Sequence, residues 1–486
     1  VTAVVDFLGH LRFYVAGALA FLLAVLTSGH AIMYKRDSRS AVAWVGLIWL
    51  APVVGSLLYV VFGINRIRRR AALLRAVGPR LSGPLLALRP GDALVVQHLP
   101  PEAHHLQAVA RAVDGITLRR LTSGNDLEPL VNGDEAYPRM LEAIGKAEHS
   151  IALATYIFDN DAVGRQFANA LERAMRRGVE VRVLIDGVGA RYSWPPIIHS
   201  LAKRGLHVAR FMPTVVPWRF PYMNLRNHRK ILVVDGIVGF TGGMNIRRGH
   251  VIGAEPTRPV QDIHFRIRGP VVRHLIETFA EDWAFTTREV LEGPLWFPEI
   301  DEVGTIVARG IPDGPDEDFE KLRWTILAAL ASARSSIRVL TPYFLPDTAL
   351  VTALNVAAMR GVHVDIILPQ KNNQFLVQWA SSALLWQVVK RGCRVFLSPP
   401  PFDHSKLVVI DDAWTLIGSG NWDPRSLRLN FEFNLECYDA EFGAWMGAWF
   451  DGKRARAREL TSRELDTRSV PVQLRDGVAR LVSPYL

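Results

Sequence analysis

The stretch from His228 to Asn245 has a residue spacing that returns from His404 to Asn421, and this duplication limits the fold more than any other feature. The first copy reads His228-Arg-Lys230-Ile-Leu-Val-Val-Asp235 and continues to Gly242-Gly-Met-Asn245. The second reads His404-Ser-Lys406-Leu-Val-Val-Ile-Asp411 and continues to Gly418-Ser-Gly-Asn421. With five matched positions, one chance copy in a chain of this length is about a 1 in 10⁴ event, so two in register mark a repeat. The surroundings repeat as well. Ser150–Phe158 reads as a strand between helices at Tyr137–Lys146 and Val163–Arg177, and Gly178–Ile185 reads as the next strand. The same order returns as strand Ser336–Phe344, helix Thr348–Arg360 and strand Gly361–Leu368, while Lys203-Arg-Gly205 answers Lys390-Arg-Gly392. Two α/β domains related by a pseudo-twofold axis are expected, at 121–310 and 311–486.

Each copy is a short buried β run, and His and Lys two apart on a strand face the same side. The glycine turn beyond lets backbone pass close to a ligand, and its Asn offers an amide donor. Two copies facing each other would surround a phosphodiester with His228, His404, Lys230, Lys406, Asn245 and Asn421. Lysine and amide donors would stabilise the charge that grows as phosphorus becomes five-coordinate. One imidazole can attack phosphorus while the other protonates the leaving alkoxide, without a metal or cofactor. The plainer reading of a lone copy, a bonded strand histidine beside a surface lysine, does not explain duplication. A zinc site would need thiols in ligand spacing, and Cys393 and Cys437 flank neither copy closely. Both cysteines read as buried structural residues.

A carboxylate follows each copy, in Gln261-Asp262-Ile-His264 and Asn430-Phe-Glu432-Phe-Asn434. Asp262 and Glu432 are candidate orienters of the histidines, because an imidazole in such chemistry needs its far nitrogen held by an acceptor. Asp235 and Asp411 lie five residues past their lysines, so on an alternating strand they face away and close the next turn.

The doubled His-x-Lys-x4-Asp with its trailing Gly-Gly/Ser-x-Asn resembles the phospholipase D superfamily, whose members act through a phosphohistidine. The resemblance assigns His228, Lys230, Asp235, His404, Lys406 and Asp411 to the catalytic set. A closer resemblance, to the bacterial cardiolipin synthases, rests on Trp44, Pro52 and Phe62-Gly63, on Asn132–Pro138, on Gly418–Ser426 and on Leu481–Leu486. It implies transphosphatidylation: one phosphatidylglycerol gives its phosphatidyl group to a histidine and releases glycerol, and a second takes it to form cardiolipin. In related enzymes the first-copy histidine is often the nucleophile, which implies attack by His228 and acid and base work by His404. The alternatives are a membrane phospholipase D that uses water, a nuclease of the same superfamily, and a non-enzymatic phospholipid-binding scaffold. Phosphatidylethanolamine is open as another donor.

The N-terminus supplies the setting. Phe13–Met33 and Ala41–Ile64 contain no Asp, Glu, Lys or Arg, and each is long enough to cross a bilayer core. Residues 1–70 are expected to form a transmembrane hairpin, with 71–120 a juxtamembrane linker. A cleaved signal peptide would account for the first span and leave the second unexplained. Arg66, Arg68, Arg69, Arg70 and Arg75 outnumber Lys35, Arg36 and Arg39, which points the catalytic part to the cytoplasmic side of a bacterial inner membrane. The 57 Lys+Arg against 47 Asp+Glu, a net charge of +10, favour anionic partners. The two spans, and the lack of a basic surface with stacking aromatics, favour lipid over nucleic acid. Between Gly205 and His228 the first half carries about eleven residues more than the second, within the aromatic loop Phe211–Met223. That loop reads as a lipid entrance or as a cover over the core. Gln374–Gln387 reads as a core helix or a second lipid-facing element.

Overall fold

The computed structural model describes residues 2–35, 38–63, 91–212, 225–315 and 319–483. The basic run after Ile64, the first part of the expected linker and nearly all of the aromatic insertion lie outside the described residues.

The N-terminal unit begins with the helix Thr2–Tyr34, whose Arg12–Tyr34 part is long and apolar enough to cross a membrane. The second apolar span is not one uninterrupted helix: Ser38–Leu50 and Pro52–Leu58 are separate α-helices, followed by a π-helical turn at Tyr59–Gly63. Pro52 has no N–H to donate into the preceding turn, and its ring collides with the carbonyl four residues back. Gly55 also approaches Leu47 so closely that a Cβ would lie 2.4 Å from its carbonyl oxygen. Thr27 Oγ1 to Ser56 Oγ at 2.9 Å and His30 Nδ1 to Tyr59 OH at 2.8 Å tie the two apolar stretches together.

The large unit is built on strands β1 (Thr122–Val131), β2 (Ser150–Thr155), β3 (Glu180–Asp186), β4 (His207–Phe211), β5 (Ile231–Val234), β6 (Val238–Gly242), β7 (Val260–Gln261) and β8 (Ile263–Arg268) of the first half. The second half adds β9 (Ile306–Asp313), β10 (Ser336–Leu340), β11 (His363–Pro369), β12 (Arg394–Ser398), β13 (Phe402–Asp403), β14 (Leu407–Ile410), β15 (Trp414–Gly418), β16 (Glu432–Tyr438) and β17 (Arg458–Leu460). Fifteen of them form one sheet in the order β17-β12-β11-β10-β14-β15-β16-β9-β1-β8-β6-β5-β2-β3-β4. From the antiparallel β9/β1 pair outward, both halves run through equivalent strands, and β17 is the one addition. This is the pseudo-twofold arrangement that the repeat implies.

The local signals repeat too. Asp161 and Asp347 cap the helices Ala162–Arg176 and Thr348–Met359, accepting from Gly164 N and Leu350 N. β2 to β3 and β10 to β11 are parallel crossovers over those helices. Both sheet faces are covered, so β5 and β14 are apolar and buried at every position.

Two expected boundaries move. The division at 310/311 falls inside β9, which stands to its half as β1 does to the other. Residues 91–120 are not a simple linker. Helices Gly91–His98 and Gln107–Asp114 flank the 3₁₀ segment Pro101–Leu106, and Val95, Leu106, Val109, Ala110 and Val113 are fully buried in the second half's core. Pro101 sits at the start of a helical segment, where a missing N–H costs nothing, so the Pro-Pro signal marks a helix start here.

Candidate active site

His228 immediately precedes β5's Arg229-Lys230 lead-in and His404 occupies the same place before β14, each on a segment that crosses to the opposite half. His228 N donates to Phe431 O at 2.9 Å, and His404 N to Gln261 O at 2.8 Å, with β13 pairing β7 beside it. Each histidine is thereby held against the segment that leads into the other half's carboxylate. The side chains follow. His228 Nδ1 lies 2.9 Å from Glu432 Oε2, and His404 Nδ1 lies 2.8 Å from Asp262 Oδ2. The two imidazole centroids are 6.4 Å apart, edge to face.

The lysines lie in the same buried site. Lys230 Nζ donates to His228 O at 2.6 Å, and Lys406 Nζ donates to His404 O. Lys406 Nζ also stands 2.9 Å from His404 Nδ1, the atom that faces Asp262. The first copy has no equivalent rival contact among the described residues, so the two histidines differ. Burial lowers the affinity of both lysines for a proton, to about 7 for Lys230 and about 8 for Lys406, against the pull of nearby carboxylates. Burial likewise lowers both histidines, aided by the lysine charges, and His404 falls further. Both rings are therefore neutral at neutral pH, with Nδ1 turned to a carboxylate and Nε2 left for chemistry.

The carboxylates are unequal as well. Burial opposes ionisation of Glu432, but the His228 interaction and Lys230 outweigh it and hold the carboxyl at about 2. Its second oxygen accepts from Ser426 Oγ at 2.8 Å and Asn430 Nδ2 at 3.1 Å. Asp262 has Ile263 N at 2.9 Å on Oδ1, and burial raises its carboxyl to about 6 despite Lys406. Gly243 passes so near that a Cβ would be 2.3 Å from Asp262 Oδ1, which explains a glycine in that turn.

The Asn pair is also asymmetric. Asn245 Oδ1 accepts from Ile157 N at 3.0 Å, so its NH2 is the end left for a ligand. Asn421 spends one N–H on Ser426 Oγ at 3.1 Å.

Asp235 and Asp411, expected in the catalytic set, lie apart from these groups. Each follows its strand at the end opposite the histidine, with φ of 51°, and caps a turn. Asp235 accepts from the backbone N–H groups of Glu148, His149 and Ser150, and Asp411 from those of Arg334, Ser335 and Ser336. His105 adds Nε2 to Asp411 Oδ2 at 2.7 Å, a contact from the helical segment that precedes β1.

Arg229, the residue between His228 and Lys230, was not legible as important because nothing in the spacing repeats it; its counterpart is Ser405. Its side chain is fully buried, donates to Asp282 Oδ1 at 2.6 Å and crosses to Glu432 O at 3.0 Å. Arg229→Ala removes the guanidinium bonded to buried Asp282, and chemical denaturation in detergent is expected to show a loss of about 3–5 kcal/mol. No loss would mean that Asn227, also bonded to Asp282, suffices. Among the described residues, no three His, Cys, Asp or Glu side chains gather as a metal site would require. Cys393 and Cys437 are free and buried.

Residues 140–283 and 326–454 match the family described as cardiolipin synthase, phospholipase D-like domain, and 18–63 match the phospholipase D-nuclease N-terminal family. Cardiolipin synthase A of Pseudomonas fluorescens is 33% identical over 487 residues, covering 99% of this chain and 100% of the relative. Cardiolipin synthase 2 of Staphylococcus epidermidis is 31% identical over 473 residues, covering 96% and 97%. The chain belongs to the phospholipase D-like cardiolipin synthases. Members of this family are phosphatidyltransferases, and so is this chain. Among solved structures, the phosphatidylserine synthase of Haemophilus influenzae has the same fold, with a TM-score of 0.62 at 16% identity over 78% of this chain and 100% of that one.

Proposed function

We propose that this cardiolipin synthase joins two phosphatidylglycerol molecules by two displacements on one pair of histidines. His228 Nε2 attacks the phosphorus of the first phosphatidylglycerol. The phosphorus–oxygen bond to the headgroup glycerol breaks, and the departing alkoxide takes a proton from His404 Nε2. His404 then accepts the proton of the terminal hydroxyl of a second phosphatidylglycerol. The new oxygen–phosphorus bond forms as the bond to His228 breaks, and cardiolipin leaves. Lys230, Lys406, Asn245 and Asn421 hold the phosphate oxygens as their charge grows. The bound phosphodiester offsets the lysine charges that depress His404, which favours its protonation before the first step.

The crossed pairing of His228 with Glu432 and His404 with Asp262 supports this reading, because it engages both Nδ1 atoms and leaves Nε2 for chemistry on two rings 6.4 Å apart. His228 is assigned the attack because its Nδ1 faces a single, fully ionised acceptor, whereas His404 Nδ1 is shared between Asp262 and Lys406. Detergent-solubilised enzyme given phosphatidylglycerol alone is expected to yield cardiolipin and equimolar glycerol. Phosphatidic acid as the main product would instead make it a hydrolase.

A pH profile provides a separate check. kcat/KM is expected to fall as pH rises through about 7 to 8, where Lys230 and Lys406 lose their charge, and again as pH falls through about 6, where Asp262 takes up a proton. A profile flat from pH 6 to 9 would remove the lysines from phosphate binding.

The two apolar stretches bring this reaction to the bilayer, in this reading with the catalytic part on the cytoplasmic side. Labelling of an introduced cysteine in sealed, oriented vesicles tests the side; reaction with an impermeant reagent from the periplasmic face would reverse it.

A further inference from the structure

Several exposed apolar side chains of the large unit lie on elements that connect through aromatic contacts to the two histidines. In the second half the C-terminal helix Val470–Leu481 is inverted for a helix at the edge of a water-soluble protein. Val470, Leu474, Val478 and Leu481 are 76%, 67%, 56% and 78% exposed. At 100° per residue they share an arc of about 80°. The opposite side is the buried one, with Ala479 packed among Leu345, Val377 and Ala380, and with Asp476 held by Arg468 at 3.0 Å and Arg475 at 2.7 Å. Arg475 and Arg480 flank the apolar arc on its two sides. The adjoining helix Phe375–Ser382 adds exposed Phe375, so Gln374–Gln387 is a core element on one side and open on the other.

This patch connects to the reacting groups. Tyr343 packs against the same small core, and its ring lies 6.3 Å from that of His404. The first half offers a matching path: His228 to Tyr156 at 5.2 Å, Tyr156 to Tyr192 at 6.0 Å, with Tyr192 largely exposed and Trp194 at 92% exposure. An apolar arc bordered by arginines is complementary to acyl chains beneath anionic headgroups.

We propose that the C-terminal helix Val470–Leu481, together with Phe375, Tyr192 and Trp194, forms a rim that seats the large unit in an anionic bilayer, so that lipid reaches the histidine pair without crossing water. The rim rests on the lipid-transfer reading for its purpose, but its location is testable without any turnover. Leu474→Cys and Val478→Cys are each made in the full chain, labelled with bimane and reconstituted in phosphatidylglycerol vesicles that carry nitroxide-labelled acyl chains. Cys393 and Cys437 are buried and stay silent. At least threefold stronger quenching at 474 and 478 than at a Lys146→Cys control is expected, since Lys146 is an exposed residue by the Asp235 turn, at the far end of β5 from His228. Equal quenching at all three sites overturns the rim. A label shielded equally in detergent and in vesicles also overturns it, because another part of the chain or a second copy would then cover the helix. Leu474→Glu with Val478→Glu is expected to reduce turnover of vesicle phosphatidylglycerol at least tenfold, with short-chain monomeric phosphatidylglycerol changed less than twofold; equal losses on both overturn the proposal. Failure of the wild type to make cardiolipin would sink the transfer reading and leave the quenching result standing.

Discussion

His228→Ala is expected to abolish cardiolipin formation, lowering kcat by about 10³ or more, with no phosphatidyl group left on the chain. His404→Ala is expected to lower it by about 10²–10⁴ for a different reason, the missing proton for the leaving glycerol. A phosphodiester with a p-nitrophenolate leaving group separates the two, because that group departs without a proton. With it, His404→Ala should regain the first step and accumulate a phosphatidyl adduct at residue 228. His228→Ala should stay inactive. An adduct on His404 in the His228→Ala variant would reverse the two roles.

Glu432→Gln and Asp262→Asn are expected to reproduce these two patterns across the halves. An amide in place of the carboxylate can still bond Nδ1, but it no longer fixes the tautomer that leaves Nε2 as the lone pair, and the expected cost is about 10²–10⁴ in kcat. Glu432→Gln, though it lies in the second half, should behave like a His228 variant and gain nothing from the activated leaving group. Asp262→Asn should behave like a His404 variant and be rescued by it. If rescue instead follows the half in which the carboxylate lies, the crossed pairs at 2.9 and 2.8 Å are not the working ones. A purely structural role for either carboxylate would lower both reactions equally.

These expectations depend on features that were unevenly legible in the chain. Buried strands follow from neighbours a few residues apart, so the runs Ile231–Val234 and Leu407–Ile410 announced themselves, whereas the caps Asp161 and Asp347 were seen only in the structure. The turn-closing place of Asp235 and Asp411 was equally available from the two-residue period of a strand, and it argued against including them with the reacting groups. The helices at 91–114 were hidden because their partners, such as Ile326 and Leu330, lie more than two hundred residues away. The break at Pro52 was in plain view, but an apolar count does not register it.

The spacing of His, Lys and Asn could be read without coordinates because it reports the geometry of one strand and one turn, which a few consecutive residues set. The repeat then required two such strands and a pseudo-twofold relation between them. What remained for the tertiary structure was every relation across that axis: Glu432 serving His228, Asp262 serving His404 and Arg229 bridging the halves. Those pairings arise because β1 and β9 meet at the centre of one sheet and carry each histidine segment onto the other half. Contacts between residues 142 and 204 positions apart have no periodicity along the chain, and so only folding brings them into view.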